Sequence, residues 1–261
     1  MKTLQELLDL SGKVALVSGG AGWLGTPMCE GLAEAGARVV VASRDLAKCQ
    51  ALADRLPGKG HVAMALDISS DQSVCQVVGQ AAALEGHLDV LINNAYSGPR
   101  PNIGDATAQD FAESFHNGVT SYFIAAQQAH QYMRHTGGSI INIASMYGLV
   151  ASYPEVYVGY NINSPPNYHA AKGALIHLTR HLAAYWARDG IRVNTISPGP
   201  FPPDRISSAM PDFIPRLEAK VPMGRIGQRW EVKGAAVFLA SQMSSYITGQ
   251  NIVVDGGWTI W

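Results

Sequence analysis

Tyr168 and Lys172 stand four residues apart in the run Tyr168-His-Ala-Ala-Lys172. At that spacing two side chains share one face of a helix, a turn apart. A helix is expected here because Ala170, Ala171, Ala174, Leu175 and Leu178 follow without a breaker and Pro165-Pro166 stands just upstream. A phenol with an ordinary pKa of about 10 is a poor base at neutral pH. A cation beside it favours the phenolate, each unit of depression being worth about 1.4 kcal/mol. The pair therefore has the chemistry of a proton-transfer catalyst. Alone it fits a plain helix surface as well, so its meaning rests on the elements that would position it.

Those elements begin with Lys13-Val-Ala-Leu-Val-Ser18, a short apolar run of the kind that forms a strand buried on both faces. Gly19-Gly-Ala-Gly-Trp-Leu-Gly25 follows at once, then a helical stretch through Met28, Leu32 and Ala35 that stops at Gly36. Strand, glycine loop and helix together are the setting of a dinucleotide-binding turn. Gly19, Gly22 and Gly25, with Trp23 and Leu24 among them, are expected to let the backbone approach a pyrophosphate. The helix behind them offers free N–H groups and a partial positive charge. A second strand at 38–43 ends in Ser43 and Arg44, with no carboxylate in the place where an NAD site usually has one. An arginine there suits a 2′-phosphate, so NADP is expected as cofactor, with NAD second. Asp45 reads as the N-cap of the next helix.

Further strands are expected at 61–66, 88–92, 138–144, 191–197 and 251–254, alternating with helices. The third strand ends in Asp67-Ile68, and Ser70 is expected to cap the helix after it. Asn94-Ala95 and Ser145 lie at the C-terminal ends of the fourth and fifth strands, the edge that faces ligands in open parallel sheets. Residues 111–134 read as one long helix with Asn117 inside it, and Pro198-Gly199-Pro200 closes the sixth strand. Strict alternation, with no linker, repeat or low-complexity stretch, predicts a single α/β domain over 1–261: a doubly wound parallel sheet with helices on both faces, preceded by a short arm at 1–12.

Composition narrows the function classes. A net charge of −1 argues against nucleic acid or an anionic membrane as the main partner, and no apolar run reaches the length of a membrane span. Cys29, Cys49 and Cys75 are odd in number and lack metal-ligand spacing, so no metal is expected and a reducing, cytoplasmic setting is.

Nearly the whole chain resembles the short-chain dehydrogenase/reductase family in its single-domain branch. The resemblance is carried by Ser18 to Gly25, Asp67, Asn93-Asn-Ala95, Asn117, Ser145, Tyr168 with Lys172, Pro198-Gly199, and Gly249-Gln-Asn-Ile-Val-Val-Asp-Gly-Gly257. It implies a Rossmann-type fold, a nicotinamide cofactor and a catalytic set of Asn117, Ser145, Tyr168 and Lys172. By the same resemblance Lys172 would lower the Tyr168 pKa and hold the cofactor ribose. Tyr168 would exchange the proton on the reacting oxygen, Ser145 would hydrogen-bond that oxygen, and Asn117 would support a water. Asp67 would contact the adenine, and Ile68, Asn94, Ala95, Pro198, Gly199 and Phe201 would border the cofactor together with Tyr168 and Lys172. Three departures bear on those contacts: Trp23 in place of a middle glycine, Tyr96 where glycine is usual after Asn93-Asn-Ala95, and Phe201 with Pro202-Pro203 where a threonine often meets the nicotinamide. The Gly19, Gly22, Gly25 spacing is shared with the family's sugar-nucleotide-modifying branch.

The expected activity is an NADP(H)-dependent interconversion of alcohol and carbonyl on a small molecule. The segment between Ser145 and Tyr168 is longer than usual in the family and carries Tyr147, Tyr153, Tyr157, Tyr160, Asn161 and Asn163. Phenols and amides suit a hydroxylated ligand better than an acyl chain. Tyr96, Tyr147, Tyr157 and Asn163 are the substrate-contact candidates, for a sugar, polyol or sugar acid. The overall look is similar to gluconate 5-dehydrogenase-like members. A 3-oxoacyl thioester reductase, a sugar-nucleotide epimerase or dehydratase, and a non-catalytic nicotinamide sensor are the alternatives. The resemblance implies that the long helices at 111–134 and 166–188 pair between subunits, and two tryptophans near the chain end, where exposure would be costly, agree with self-association, so a homotetramer is expected, with a dimer second.

Overall fold

A computed structural model describes residues 2–160, 162–204, 206 and 210–261. Asn161, one of the polar residues of the long segment, lies outside them. Seven strands, β1 (Val14–Ser18), β2 (Arg38–Ser43), β3 (Val62–Ala65), β4 (Val90–Asn93), β5 (Gly138–Ile143), β6 (Ile191–Pro198) and β7 (Asn251–Val254), form one sheet. Its order is β3-β2-β1-β4-β5-β6-β7, with every neighbouring pair parallel. The expected doubly wound sheet is therefore observed.

Helices α1 (Leu4–Leu8), α2 (Gly25–Glu34), α3 (Leu46–Ala53), α4 (Asp71–Ala83), α5 (Ala108–Phe115), α6 (Ser121–Met133), α7 (Pro166–Trp186), α8 (Phe213–Glu218) and α9 (Val232–Ala240) accompany the strands, with a π-helical segment and short 3₁₀ turns among them. Alternate residues of the inner strands point to two cores. Ala15, Val17, Val39 and Val41 pack with α2, α3 and α9, while Val14, Leu16, Val40 and Ala42 pack with α4, α6 and α7. Burial on both faces explains why these strands are unbroken apolar runs. Asp45 and Ser70 cap α3 and α4 as expected, accepting from the Lys48 and Ser73 N–H groups. No helix among the described residues is long and apolar enough to cross a membrane.

Between β1 and β4 the chain reverses its direction of winding, and Val17 pairs with Ile92 across that boundary. A crevice opens there at the carboxyl edge of the sheet. The expected single helix at 111–134 is interrupted: α5 passes into a π-helical turn, His116–Thr120, before α6. Asn117 and Gly118 fall in that turn, and the Ser121 hydroxyl donates to the Asn117 carbonyl at 3.0 Å. A backbone carbonyl engaged by a side chain, next to a glycine, favours the wider turn over a regular one.

Candidate active site

β1 delivers the glycine loop to the crevice. Gly19 turns with φ +63°, and a Cβ on Gly25 would collide with the Gly19 carbonyl, so the loop closes only with glycine at that place. α2 starts at Gly25 with no side-chain cap; the Thr26 N–H donates back to the Gly22 carbonyl at 3.0 Å and Pro27 has no N–H, which leaves the Gly25 N–H at the open end of the first turn. The Asn94 amide donates to the Ser18 and Gly19 carbonyls at 3.1 and 3.0 Å, and the Asn94 and Ala95 N–H groups donate to the Ser18 hydroxyl. The ends of β1 and β4 are thus tied into one rigid lip.

A cavity of about 410 Å³ lies above this lip. Gly19, Gly22, Trp23, Leu24, Ser43, Arg44, Ile68, Asn94 and Ala95 line it, as do Tyr96 and Arg100, and among the described residues no carboxylate does. Its fit to an anionic dinucleotide follows from that charge pattern and from the positive end of the α2 dipole behind the glycine loop. Arg44 is exposed and in no ion pair among the described residues, whereas the Ser43 hydroxyl turns inward to Cys49 Sγ at 2.9 Å. Gly25 sits below the cavity at the start of α2, and Asp67 beside it, off the lining. Asp67 is not the cap of α4. Its carboxylate accepts from the Ser69 N–H and hydroxyl, and those bonds, helped by Arg44, hold its pKa below the ordinary value. Trp23 does not fill the loop: its indole N–H donates to the Phe201 carbonyl at 3.0 Å, tying the glycine loop to the segment after β6.

A second cavity of about 370 Å³ adjoins the first and shares Leu24, Asn94, Tyr96 and Arg100 with it. Ser145, Tyr147, Tyr168, Lys172, Pro198, Gly199 and Phe201 line it, with Pro99, Ser164 and Pro165 at its rim. β5 places Ser145 just past its end, where the hydroxyl also accepts from the Tyr147 N–H. α7 carries Tyr168 and Lys172 onto that point. The Ser145 hydroxyl faces the Tyr168 phenol and pulls its pKa down. Lys172 is 2% exposed, and its Nζ donates to the Ile143 carbonyl at 2.7 Å. Asn117 is buried with Nδ2 3.5 Å from Ser97 Oγ, and its Oδ1 has no partner among the described residues.

The pKa balance differs from the expectation that Lys172 lowers that of Tyr168. Burial is the larger effect on both: it pushes the phenol up and the ammonium down to about 7. Lys172 points at a carbonyl, not at the phenolic oxygen, while Arg100 helps pull the Tyr168 pKa down.

This arrangement is similar along its whole length to known enzymes. The family model described as enoyl-(acyl carrier protein) reductase matches residues 21–259. A tropinone reductase homolog of Arabidopsis thaliana is 36% identical, the match covering 97% of this chain and 91% of the relative. The chain belongs to the short-chain dehydrogenase/reductase family. Another member, the NADP-dependent mannitol dehydrogenase of Aureobasidium melanogenum, is 32% identical over 98% of this chain and 95% of its own. A crystal structure of a gluconate 5-dehydrogenase from Burkholderia cenocepacia, in complex with NADP and tartrate, superposes with a TM-score of 0.87 at 32% identity, covering 98% of this chain and 99% of that one.

Two of the four substrate candidates reach the second cavity. Tyr96 and Tyr147 line it, but Tyr157 stands behind Tyr147, hydroxyl to hydroxyl at 3.2 Å, and Asn163 is exposed, its N–H donating to the Asn102 side chain. The chain enters α7 through Pro165-Pro166, which brings Ser164 and not Asn163 to the rim. Arg100, the one exposed charge on the lining among the described residues, was not among the sequence candidates. Its signal was a lone arginine seven residues past β4 in a Pro- and Gly-rich stretch. The Trp258 expectation also changes. Trp258 is 1% exposed within its own chain, ring edges of Tyr147 and Tyr153 meeting it at 6.4 and 5.3 Å, so it asks for no partner subunit.

Proposed function

We propose that the chain, as one dinucleotide-binding domain, is an NADP(H)-dependent oxidoreductase that interconverts an alcohol and a carbonyl on a polyhydroxylated substrate: a sugar, polyol or sugar acid. The observation that carries this reading is the Ser145–Tyr168 hydroxyl pair above buried Lys172, in a cavity that opens onto a carboxylate-free, glycine-lipped cleft. The nicotinamide would supply or accept the hydride. Gly19, Gly22 and the start of α2 would hold its pyrophosphate and Arg44 the 2′-phosphate. Tyr168 would exchange a proton with the reacting oxygen while Ser145 hydrogen-bonds the same oxygen. Lys172 would hold the ribose and recharge Tyr168, with a water on Asn117 Oδ1 behind it.

The mannitol and gluconate enzymes among the relatives support the substrate class, and Arg100 offers a counter-charge to its acid members. A 3-oxoacyl thioester reductase is the second reading, favoured by the acyl-carrier-protein wording of the matching family model. The sugar-nucleotide reading loses ground, since the described residues after β6 add only α8, α9, short 3₁₀ turns and β7. An NADPH and NADP⁺ turnover screen over sugars, polyols, sugar acids, ketones and 3-oxoacyl thioesters tests all of these. A specificity constant for a thioester well above that of every polyhydroxylated compound overturns the substrate class, and no redox turnover at all favours the sensor.

The same reading includes a cytoplasmic location, in keeping with three free cysteines, and a homotetramer. Exposed Tyr185 on α7 and Trp261 at the chain end, 73% and 67% accessible, support self-association. Light scattering that finds a monomer at micromolar concentration removes it.

A further inference from the structure

Tyr96 occupies the place where the family resemblance leads one to expect glycine, and its surroundings are shaped to a tyrosine. Its hydroxyl meets Ser114 Oγ at 3.0 Å, and that oxygen accepts from Asn167 Nδ2 at 2.6 Å. Ser114 and Asn167 are fully buried, and the Asn167 amide also reaches the Pro99 carbonyl. Two glycines make room for the ring. A Cβ on Gly118, in the π-helical turn, would lie 3.0 Å from a ring carbon, and one on Gly98 would lie 2.8 Å from the hydroxyl. The β4–α5 loop, α5 and the first turn of α7 are therefore clamped through this side chain.

The ring itself faces the catalytic pair. It meets the Tyr168 ring edge-on, centroids 5.2 Å apart at 71°, and Lys172 Nζ lies 5.1 Å from its centroid. Tyr122 from α6 and Tyr168 from α7 face the same ammonium at 5.5 and 5.7 Å, and among the described residues the Ile143 carbonyl accepts its one hydrogen bond. Among the described residues no carboxylate pairs with Lys172. A buried ammonium without a counter-ion loses its charge unless other groups stabilise it. Aromatic faces within about 6 Å do so, most strongly where water is excluded.

We propose that Tyr96 is a positioning residue whose ring keeps Lys172 charged and squares Tyr168 to it, while its hydroxyl fixes the ring through Ser114 and Asn167. This deepens the catalytic reading above and rests on it. Burial already draws the Lys172 pKa to about 7, so a modest loss of cation stabilisation changes its charge at neutral pH. Tyr96→Leu removes the ring and lowers the Lys172 pKa. Tyr96→Phe keeps the ring and removes only the hydroxyl tether.

The test is a titration of Lys172 by NMR on ¹³Cε-lysine protein, its resonance assigned by Lys172→Arg, in wild type, Tyr96→Phe and Tyr96→Leu. Expected is a downward shift of about one pH unit in Tyr96→Leu and little shift in Tyr96→Phe. The alkaline limb of kcat should move the same way, with the NADPH KM changing less than kcat. A Lys172 titration that stays put in Tyr96→Leu, or shifts equally in both variants, overturns the proposal. A shifted titration with an unmoved kcat limb leaves the cation role standing and counts against Lys172 as the catalytic cation. Should Tyr96→Leu fail to fold, Gly118→Ala presses on the ring from below and should shift the titration in the same direction, by less. No shift there overturns the proposal too.

Discussion

The helix that carries Tyr168 and Lys172 rests on a floor of polar side chains locked between strands, whereas one wall of the cleft is backed by rings. In the floor Asn93 Nδ2 donates to Asn142 Oδ1 at 3.0 Å, and Asn142 Nδ2 donates to Thr179 Oγ1 at 2.9 Å. Thr195 Oγ1 also donates to Thr179 Oγ1, which in turn donates to the Leu175 carbonyl. These groups are all buried, and each bond has one geometry, so α7 is pinned to β4, β5 and β6 in a single register. In the wall Met146, Val156, Leu217, Val221 and Trp258 form a separate core, with Tyr147, Tyr153, Tyr157 and Phe213 packed on it. Ring packing is strong but tolerant of small shifts. The floor can hold reacting groups to a fraction of an ångström, while the wall can change its ligand without disturbing them.

The sharpest break between the two is Tyr168→Phe, which spares the ring and removes the proposed proton donor. Turnover should fall by about 10²–10⁴-fold, the usual contribution of a general acid or base. NADPH binding, followed by its fluorescence, should persist. A kcat within about tenfold of wild type would put the proton transfer elsewhere than on the residues this floor holds in register.

Trp258→Ala attacks the wall instead. Emptying a buried tryptophan site costs about 3–5 kcal/mol, so the variant should melt earlier. Among molecules that remain folded, KM for the carbonyl substrate should rise more than kcat falls, because Tyr147 loses its backing. Loss of kcat alone, with KM unchanged, would erase the distinction between floor and wall.

That distinction also marks what the sequence made legible. The lip and floor follow from unbroken apolar strands, a glycine loop and residues at strand ends, all of which have a fixed place relative to the sheet. Tyr168, Lys172, Ser145 and Asn94 meet where the strand order put them. The wall has no such period. Nothing in the order of Tyr147, Tyr157 and Asn163 says that the first lines the cavity, the second backs it and the third faces solvent. Trp258 looked exposed because the fold-back of the chain end onto residues 146–157 is a tertiary event. The π-helical turn at Asn117 escaped for another reason: a widened turn keeps the polarity pattern of an ordinary helix. The direction of the Tyr168 shift escaped because burial is not visible along the chain.

Arg44→Ala tests the lip, the third surface of the cleft. With no ion pair to break among the described residues, the exposed guanidinium should matter chiefly through a ligand phosphate. The NADPH KM should rise by about tenfold, a loss of about 1.4 kcal/mol, with the NADH KM nearly unchanged. An equal rise for both cofactors, or a wild-type preference for NADH, would remove the 2′-phosphate role.

The smallest expected effect separates the front of the wall from its back. Tyr157→Phe removes the hydroxyl that meets Tyr147 at 3.2 Å but keeps the ring against Phe213, whose centroid is 5.5 Å away. A neutral hydrogen bond contributes about 1 kcal/mol, so stability should drop by no more than that. Tyr147, stacked on His169 at 4.5 Å, stays in place by its ring and regains a free hydroxyl toward the cavity. Substrate KM should therefore move by less than about fivefold, corresponding to about 1 kcal/mol, while Tyr147→Phe should move it further. If Tyr157→Phe weakens substrate as much as Tyr147→Phe does, the phenols act as one hydrogen-bonded unit and the back of the wall takes part in recognition.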